Sequence, residues 1–337
     1  MATRNLSSWI LTISVLLVTA CQNQNLPVKI SLQGEAQGTY YAISYYDVDN
    51  RNFQTQIDSL LHAFDLSVSL WVPESIISKV NRGDTTVDLD DIFRYNFLLS
   101  KEIAAATNGA FDFTIEPLVT AWGFGLREMA TVDSRLIDSL KQLVDYRKVS
   151  LNDGRVIKED PRISFNFNAI AQGHSVDLIS KYLADQGVNS FIVDVGGEVY
   201  ASDLKADRTE WRVGVEKPAE EKSEAQVIQL VVALKNKGLS TSGSYRKYHE
   251  VDGIRYSHTI DPETGYPVNH NLLSVTVMAS NTAVADGYST AFMVMGVEKS
   301  MELMKTLPDM EALFISAKPG GGYEIEMSPG FREMIRD

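Results

Sequence analysis

The chain has 337 residues, 44% of them hydrophobic, and carries 31 basic and 44 acidic side chains for a net charge of −13. This length and composition are typical of a globular protein with a substantial buried core. The acidic balance, without a cluster of Lys or Arg, disfavours nucleic acid as a partner and disfavours electrostatic attachment to anionic lipid.

The first twenty residues have the pattern of a secretion signal. Arg4 precedes an apolar run at 9–18, and small residues then lead to Cys21. The run is too short to cross a membrane as a helix, which takes about 20 apolar residues. The segment Val18-Thr19-Ala20-Cys21 resembles a bacterial lipobox. We therefore predict that residues 1–20 are a lipoprotein signal peptide, that Cys21 is lipidated, and that residues 21–27 form a tether.

Cys21 is the only cysteine, so neither a disulfide nor a cysteine-ligated metal can stabilise the remaining chain at 28–337. Removal of the signal takes away only Arg4 among the charged side chains and moves the net charge from −13 to −14. We expect an exported protein, anchored to a bacterial membrane by lipid and facing the periplasm. Gln22 after the cysteine favours the outer membrane, by resemblance to lipoprotein sorting.

The folded part is predicted to begin with a hairpin and to continue with helices. β-Branched and aromatic residues at 28–46, interrupted at Gly38, indicate a β-hairpin. Apolar residues at helical spacing then predict helices at 53–66, 91–107 and 132–144. The second of these helices is predicted to end at Asn108-Gly109.

Strands and helices alternate in the second half. Strands are predicted at 162–166, 190–195, 211–216, 226–234, 254–260 and 273–279, the last of them covered on one face. Helices are predicted at 171–185, 282–295 and 297–306, and the charged segment 217–224 is predicted to be a solvated loop. The mixed order, with many hairpins, favours an α+β fold with antiparallel sheets over a doubly wound parallel sheet.

The predicted helix 282–295 places two hard oxygen ligands on one face. Asp286 and Thr290 are four residues apart, and the buried stripe of this helix is predicted to comprise Val284, Tyr288, Ala291 and Met295. Carboxylate and hydroxyl oxygens suit Mg²⁺ and leave positions open for water and phosphate oxygens. A surface Asp with a Thr bonded back into its own helix is the alternative. The five histidines have no paired spacing, so zinc is not expected.

The segment 257–267 contains the turn sequence Asp-Pro-x-Thr-Gly. Pro262 fixes one backbone angle, and Gly265 permits a left-handed conformation. Such a turn would hold His258 and Asp261 near each other, and His258 could then be a general base near neutral pH or a hydrogen-bonding group for a ligand. An ordinary hairpin would use the same residues.

Two familiar nucleotide-binding signatures are absent from the sequence, G-x-x-x-x-G-K-[ST] and G-x-G-x-x-G between a strand and a helix. Two other glycine-containing loops, Val195-Gly196-Gly197-Glu198 and Thr241-Ser242-Gly243-Ser244-Tyr245, could bring backbone N–H groups to a ligand or form simple tight turns. Aromatic residues beside glycines at 108–114 and 122–125 fit either ring stacking or core filling.

In this order, the motifs resemble the ApbE family of flavin transferases over nearly the whole folded part. Eight blocks carry the resemblance: Gly38-Thr39-Tyr40; Trp71-Val72-Pro73-Glu74-Ser75 with Asn81; Gly109-Ala110-Phe111-Asp112 through Trp122-Gly123-Phe124; Ala171-Gln172-Gly173; Gly196-Gly197-Glu198; Thr241-Ser242-Gly243; 258–265; and Ala285-Asp286 to Thr290. The resemblance implies tandem T-fold-like antiparallel sheets with packed helices, in one catalytic unit at 28–337.

The resemblance also implies an activity: FAD is split, FMN is attached through a phosphoester to a threonine of a target protein, and AMP is released. The target would be a protein such as a subunit of a redox-driven membrane complex. Mg²⁺ would be held by Asp286, Thr290 and the backbone carbonyl of Ala169, and His258 stands where the family's proposed base lies. FAD would contact Gln37, Trp71, Ala110, Phe111, Asp112, Asn166, Gln172, His258 and Ile260.

The sequence departs from the family pattern at three of these positions. Many members have an aspartate where Asn166 stands, a lysine where Gln172 stands and a methionine where Gln37 stands. Two other functions are alternatives, the first of which would use the same site. A FAD pyrophosphatase would use water as acceptor and release free FMN and AMP, whereas a non-catalytic flavin-binding lipoprotein would need neither a metal nor a base.

Overall fold

A computed structural model describes residues 26–125, 132–218, 227–244, 248–251 and 254–336. The predicted signal peptide, Cys21, most of the tether and most of the charged segment 217–224 lie outside these residues. Within the described ranges, no helix has both the length and the apolar character needed to cross a membrane.

Along the described chain, a β-hairpin is followed by a run of helices, and most of the strands lie between the helices Ala171–Asp185 and Thr282–Met295. The helices are α1 (Gln54–Val68), α2 (Ile76–Asn81), α3 (Asp91–Ala106), α4 (Glu116–Ala121), α5 (Ser134–Lys141), α6 (Ala171–Asp185), α7 (Thr282–Met295), α8 (Val297–Met304) and α9 (Pro329–Glu333). The strands are β1 (Val28–Ala36), β2 (Thr39–Asp47), β3 (Val149–Asn152), β4 (Arg155–Lys158), β5 (Ser190–Val195), β6 (Glu198–Ala201), β7 (Trp211–Glu216), β8 (Ile228–Leu234), β9 (Lys237–Gly243), β10 (Tyr248–Val251), β11 (Ile254–Ser257), β12 (Leu272–Ala279), β13 (Glu311–Ala317), β14 (Tyr323–Met327) and β15 (Ile335–Arg336).

One large antiparallel sheet organises the molecule. Its eight strands lie in the order β1-β2-β5-β6-β9-β12-β13-β14, and each neighbouring pair is antiparallel. Three strands, β15, β8 and β7, form a second sheet, while β3-β4 and β10-β11 are separate hairpins. The α+β prediction with antiparallel sheets is therefore confirmed.

The large sheet is buried on both faces around β12 and β13. Val275 and Phe314 join the core formed with α3 and α7, whereas Met278 and Leu313 point the other way, into the core shared with the second sheet. The prediction that strand 273–279 is covered on one face was therefore wrong. A further core lies between α1, α6 and strands β1, β2 and β5.

Helices α6 and α7 pack against each other and against the large sheet, α6 on β5 and β6 and α7 on β9 and β12. Helix α7 is consequently buried around most of its circumference. The observed buried surface differs from the predicted stripe in two ways. Val284 and Met295 are only partly buried, whereas Asp286, Gly287 and Phe292, which lie outside the predicted stripe, are buried. A surface position for Asp286 is excluded.

The predicted strand 162–166 does not form. Ile163, Phe165 and Phe167 are fully buried, an alternation that imitates a strand, but the backbone of this segment bonds to other groups. The side chain of Asn81 accepts from the N–H of Phe165 at 2.8 Å and donates to its carbonyl at 2.9 Å. One isolated parallel bridge joins Ser164 to Ile115.

Candidate active site

Asp286 lies in the second turn of α7, where α6 and β9 meet the helix. Its side chain is only 5% exposed. Oδ2 accepts a hydrogen bond from the backbone N–H of Gly173 in α6 at 3.0 Å, and Oδ1 accepts one from the hydroxyl of Ser240 in β9 at 3.3 Å. Two elements outside α7 thus fix this carboxylate.

Thr290 follows one turn later and faces the same strand. Its hydroxyl lies 3.2 Å from that of Ser242, which is also 2.8 Å from the hydroxyl of Ser289. Because Ser240 and Ser242 are two residues apart on β9, they point to the same side of the sheet. Asp286 and Thr290 therefore share the face of α7 that lies on β9.

Glu198 is a second buried carboxylate at this site. It begins β6 and is 9% exposed, and the hydroxyl of Ser240 lies 3.3 Å from its Oε1. Burial raises the pKa of Asp286 well above its usual range, against the hydrogen bonds from Gly173 and Ser240 that lower it. Burial also raises the pKa of Glu198 well above its usual value, and the negative charge of Asp286 raises it further.

This donor set suits a hard cation. No Lys or Arg of the described chain forms an ion pair with Glu198 or Asp286. Nor do the described residues contain a group of three or more His, Asp and Glu side chains that could hold a metal. The oxygens present are the carboxylate of Asp286 and the hydroxyls of Ser240, Ser242 and Thr290, and carboxylate and hydroxyl oxygens are ligands that Mg²⁺ accepts.

Three predicted residues lie in the loop that precedes α6 or in the first turn of this helix, close in sequence to Gly173. Ala169 lies in this loop, four residues before the Gly173 N–H that binds Asp286. Asn166 is buried in the same loop, and its Nδ2 donates to Oε2 of Glu116 at 2.6 Å. Gln172, in the first turn of α6, donates from Nε2 to the carbonyl of Val195 at 2.8 Å.

Two turns flank Gln172. At the β5–β6 turn, a Cβ on Gly196 would lie 2.0 Å from Nε2 of Gln172 and 2.6 Å from Cγ2 of Thr39, so this backbone is in close contact with both. At the β1–β2 turn, Gln37 has a left-handed φ of 54°. Its side-chain Nε2 is buried without a hydrogen-bond partner, as expected for a donor that a ligand completes.

The structure gives Trp71 and the segment 110–112 different environments. Trp71 is 59% exposed, so its ring is available to a flat ligand. Phe111 is buried in the main core. Asp112 is buried too, and its oxygens accept from the N–H and hydroxyl of Thr114 and from the N–H of Tyr146. Any ligand contact of Phe111 and Asp112 would therefore use their backbone. Ala110, in the same turn, is half-buried.

The Asp-Pro-x-Thr-Gly turn has the predicted left-handed glycine, with Gly265 at φ 78°. It packs on α4 and α5: the indole N–H of Trp122 donates to the carbonyl of Gly265 at 2.9 Å, and Ile260 is buried against Trp122. His258 is half-buried at the start of this turn, with its ring centroid 6.3 Å from that of Phe124. Oδ1 of Asp261 accepts from the N–H of Glu263 within the same turn.

The structure connects some of the predicted residues directly. Asp286 is joined to Gly173, just after the Ala169 loop, and Gln172 beside it is bonded to the β5–β6 turn. His258 and Ile260 lie with Trp122 and Phe124 at the Asp-Pro-x-Thr-Gly turn. Sequence reasoning missed four contributors: Glu116, Glu198, Ser240 and Ser242. The glycine-containing motifs around Glu198 and Ser242 were recognisable, but only the fold shows that these side chains face α7.

The fold and the site define an α+β protein with a buried, oxygen-rich centre between two helices and an antiparallel sheet. A model of the ApbE family matches residues 37–314. A FAD:protein FMN transferase of Klebsiella pneumoniae (strain 342) is 31% identical over 335 residues, which span 95% of this chain and 94% of the relative.

Two solved structures have the same architecture. The flavin transferase ApbE from Vibrio cholerae superimposes with a TM-score of 0.81 at 29% identity, covering 91% of this chain and 99% of the other. The apo form of the flavinyl transferase ApbE of Pseudomonas stutzeri gives a TM-score of 0.81 at 32% identity, covering 91% and 97%. The chain belongs to the ApbE family.

Proposed function

We propose that this protein is a FAD:protein FMN transferase that uses Mg²⁺ to transfer FMN from FAD to a threonine of a target protein. The observation that carries the proposal is that the buried Asp286 and the partly buried Thr290 share one face of α7, with Asp286 bonded to Gly173 just after the Ala169 loop. Family membership and the named relatives support FAD as the donor and a protein as the acceptor.

Asp286, Thr290 and the carbonyl of Ala169 would hold the metal. When bound, Mg²⁺ neutralises negative charge on the phosphates of FAD, which is the main requirement of phosphoryl-type transfer. The buried carboxylates Asp286 and Glu198 favour a cation because burial removes them from water and no basic side chain of the described chain compensates them.

The remaining chemistry needs one proton acceptor. His258 takes the proton of the acceptor threonine, whose Oγ then attacks the phosphorus of the FMN half. A new phosphoester bond forms, the bond to the AMP phosphate breaks, and AMP leaves with the electron pair. The Asp-Pro-x-Thr-Gly turn that follows His258 is anchored by the hydrogen bond from Trp122 to Gly265, and this fixed neighbouring backbone supports the role.

The direct test follows FMN attachment to a threonine-containing acceptor protein by mass spectrometry, with FAD and Mg²⁺. We expect a mass gain of one FMN on threonine with the wild-type protein and a large loss of rate in His258→Ala and Asp286→Ala. The exposed residues His62 and Asp138 provide the matched controls His62→Ala and Asp138→Ala. Near wild-type rates in both site variants would contradict the proposed roles.

The same assay separates transfer from hydrolysis. A transferase should release AMP in step with acceptor labelling and release little FMN when the acceptor is omitted. Equal amounts of free FMN with and without acceptor would instead indicate a pyrophosphatase. Intact FAD after long incubation with Mg²⁺ and acceptor would indicate a flavin-binding protein without catalysis.

The N-terminal sequence supports a location for this activity. An apolar run followed by Val18-Thr19-Ala20-Cys21 fits export and lipidation at Cys21, which would tether the enzyme at the periplasmic face of a membrane, with the outer membrane favoured by Gln22. The full chain should then partition with membranes, and the variant Cys21→Ser should not. Membrane association of Cys21→Ser would contradict lipid anchoring.

A further inference from the structure

Glu116 is a buried carboxylate between α4 and the Ala169 loop, outside the residues that the proposed reaction uses. It is 8% exposed. Its Oε1 accepts from the hydroxyl of Thr120 at 2.7 Å, and its Oε2 accepts from Nδ2 of Asn166 at 2.6 Å. Burial raises the pKa of Glu116, and the two hydrogen bonds lower it.

Three contacts join the chain around Glu116 to the chain around Asn166. The N–H of Asn166 donates to the carbonyl of Phe113 at 2.7 Å, a parallel bridge pairs Ile115 with Ser164, and the side chains of Glu116 and Asn166 meet directly. The Glu116 carboxylate is therefore held beside the start of the Ala169 loop by the backbone as well as by its own hydrogen bond.

The amide of Asn166 has only one orientation that satisfies both neighbours. Its Oδ1 accepts from the N–H of Asn168 at 2.9 Å, so its Nδ2 must face Glu116. An aspartate at this position could still accept from Asn168, but it would place a second carboxylate oxygen against that of Glu116. Two buried carboxylates in hydrogen-bond contact cannot both be ionised without a large electrostatic cost.

We propose that Glu116 is a positioning residue for flavin binding, and that Glu116 and Asn166 form a pair that tolerates a carboxylate at only one of its two positions. Glu116 fixes the amide of Asn166 and, through it, the loop that carries Ala169 and leads to Gln172 in α6. This inference rests on the proposed function, because it assigns the loop to FAD. It also accounts for Asn166, because a carboxylate at this position would leave Oε2 of Glu116 without its donor.

A double-mutant cycle tests the pair. The variants are Glu116→Gln, Asn166→Asp and the double variant, each measured for the KM of FAD, kcat and thermal stability. We expect Asn166→Asp to raise the KM of FAD about tenfold, as the loss of a buried charge-assisted hydrogen bond and the gain of a like charge predict. The double variant should return to within about threefold of wild type, because the amide introduced by Glu116→Gln offers the donor that the carboxylate introduced by Asn166→Asp needs.

A structural role alone gives a different pattern. Glu311→Gln is the matched control, since Glu311 accepts from the N–H of Phe331 at 3.1 Å in another part of the fold and should affect stability without changing the KM of FAD. A wild-type KM of FAD in Asn166→Asp, or no recovery of this KM in the double variant, would overturn the proposed pairing of Glu116 and Asn166. Failure of the wild-type protein to bind FAD overturns the proposed function instead.

Discussion

The backbone N–H of Gly173 donates a hydrogen bond to Oδ2 of Asp286 at 3.0 Å and thereby joins the first turn of α6 to the second turn of α7. This approach depends on the missing side chain. A Cβ at Gly173 would lie 2.5 Å from the carbonyl oxygen of Thr282, and backbone atoms cannot rotate out of the way. The closeness of the two helices therefore determines where the Asp286 carboxylate stands.

Gly173→Ala should consequently weaken Mg²⁺ binding, because α6 and α7 must separate and the hydrogen bond to Asp286 must lengthen. We also expect a loss of about 1–3 kcal/mol in unfolding free energy from overpacking. Calorimetric titration with Mg²⁺ and denaturant unfolding measure the two effects. Gly238→Ala is the control. Gly238 lies on β9, and a Cβ there would be 2.4 Å from the backbone N atom of the same Thr282. Equal Mg²⁺ affinity in Gly173→Ala and wild type would refute the link.

The β5–β6 turn gives a second prediction. Gly196→Ala should weaken FAD binding, because the new methyl group would displace the side chain of Gln172, whose Nε2 lies 2.0 Å from the Cβ position. Gly187→Ala separates this effect from backbone strain: Gly187 also has a left-handed φ, of 80°, but has nothing within 4 Å of its Cβ position. Both variants should lose about 1–2 kcal/mol of stability. Only Gly196→Ala should raise the Kd of FAD, and equal Kd values in the two would contradict this interpretation.

Much of the framework could be predicted because it depends on local signals. The bounds of α6, β5 and α7 agree with the sequence prediction, and Gly265 has the left-handed conformation that its turn requires. Strand β9 was missed because Lys-Gly-Leu-Ser-Thr-Ser-Gly lacks the usual strand composition and is a strand only by pairing with β6 and β12. The role of Glu116 was equally hidden, since its partner Asn166 is fifty residues away in the chain.

Substitution of Trp71 is predicted to change the affinity for FAD but not the stability of the protein. Because the side chain is 59% exposed, Trp71→Ala should leave the unfolding free energy nearly unchanged. If the indole stacks on FAD, the Kd of FAD should rise by roughly tenfold, the upper end of what an aromatic pair contributes. Leu98→Ala is matched in exposure, at 58%, and lies on α3. Fluorescence titration with FAD distinguishes the two variants, and an unchanged Kd in Trp71→Ala would remove this residue from the flavin site.

His174 gives the protein a pH dependence of stability that can be assigned to one group. The imidazole is buried in α6, its ring packs against Phe64 and Tyr95, and Nδ1 lies 2.8 Å from Nδ2 of Asn96. Because the amide of Asn96 donates, Nδ1 accepts and the folded ring is neutral. Burial lowers the pKa of His174 from 6.5 to about 3.

Between pH 6.5 and pH 3 the unfolded chain therefore binds a proton at His174 that the folded protein does not, and stability falls as the pH is lowered through this window. We expect wild-type protein to lose about 2 kcal/mol more than His174→Gln between pH 7.5 and pH 5. Asp177, whose pKa burial raises to about 6, titrates in both proteins and cancels in the difference. Denaturant unfolding at pH 7.5 and pH 5 measures the difference in stability loss between the two proteins. Parallel stability curves would show that protonation of His174 does not drive the loss of stability at low pH.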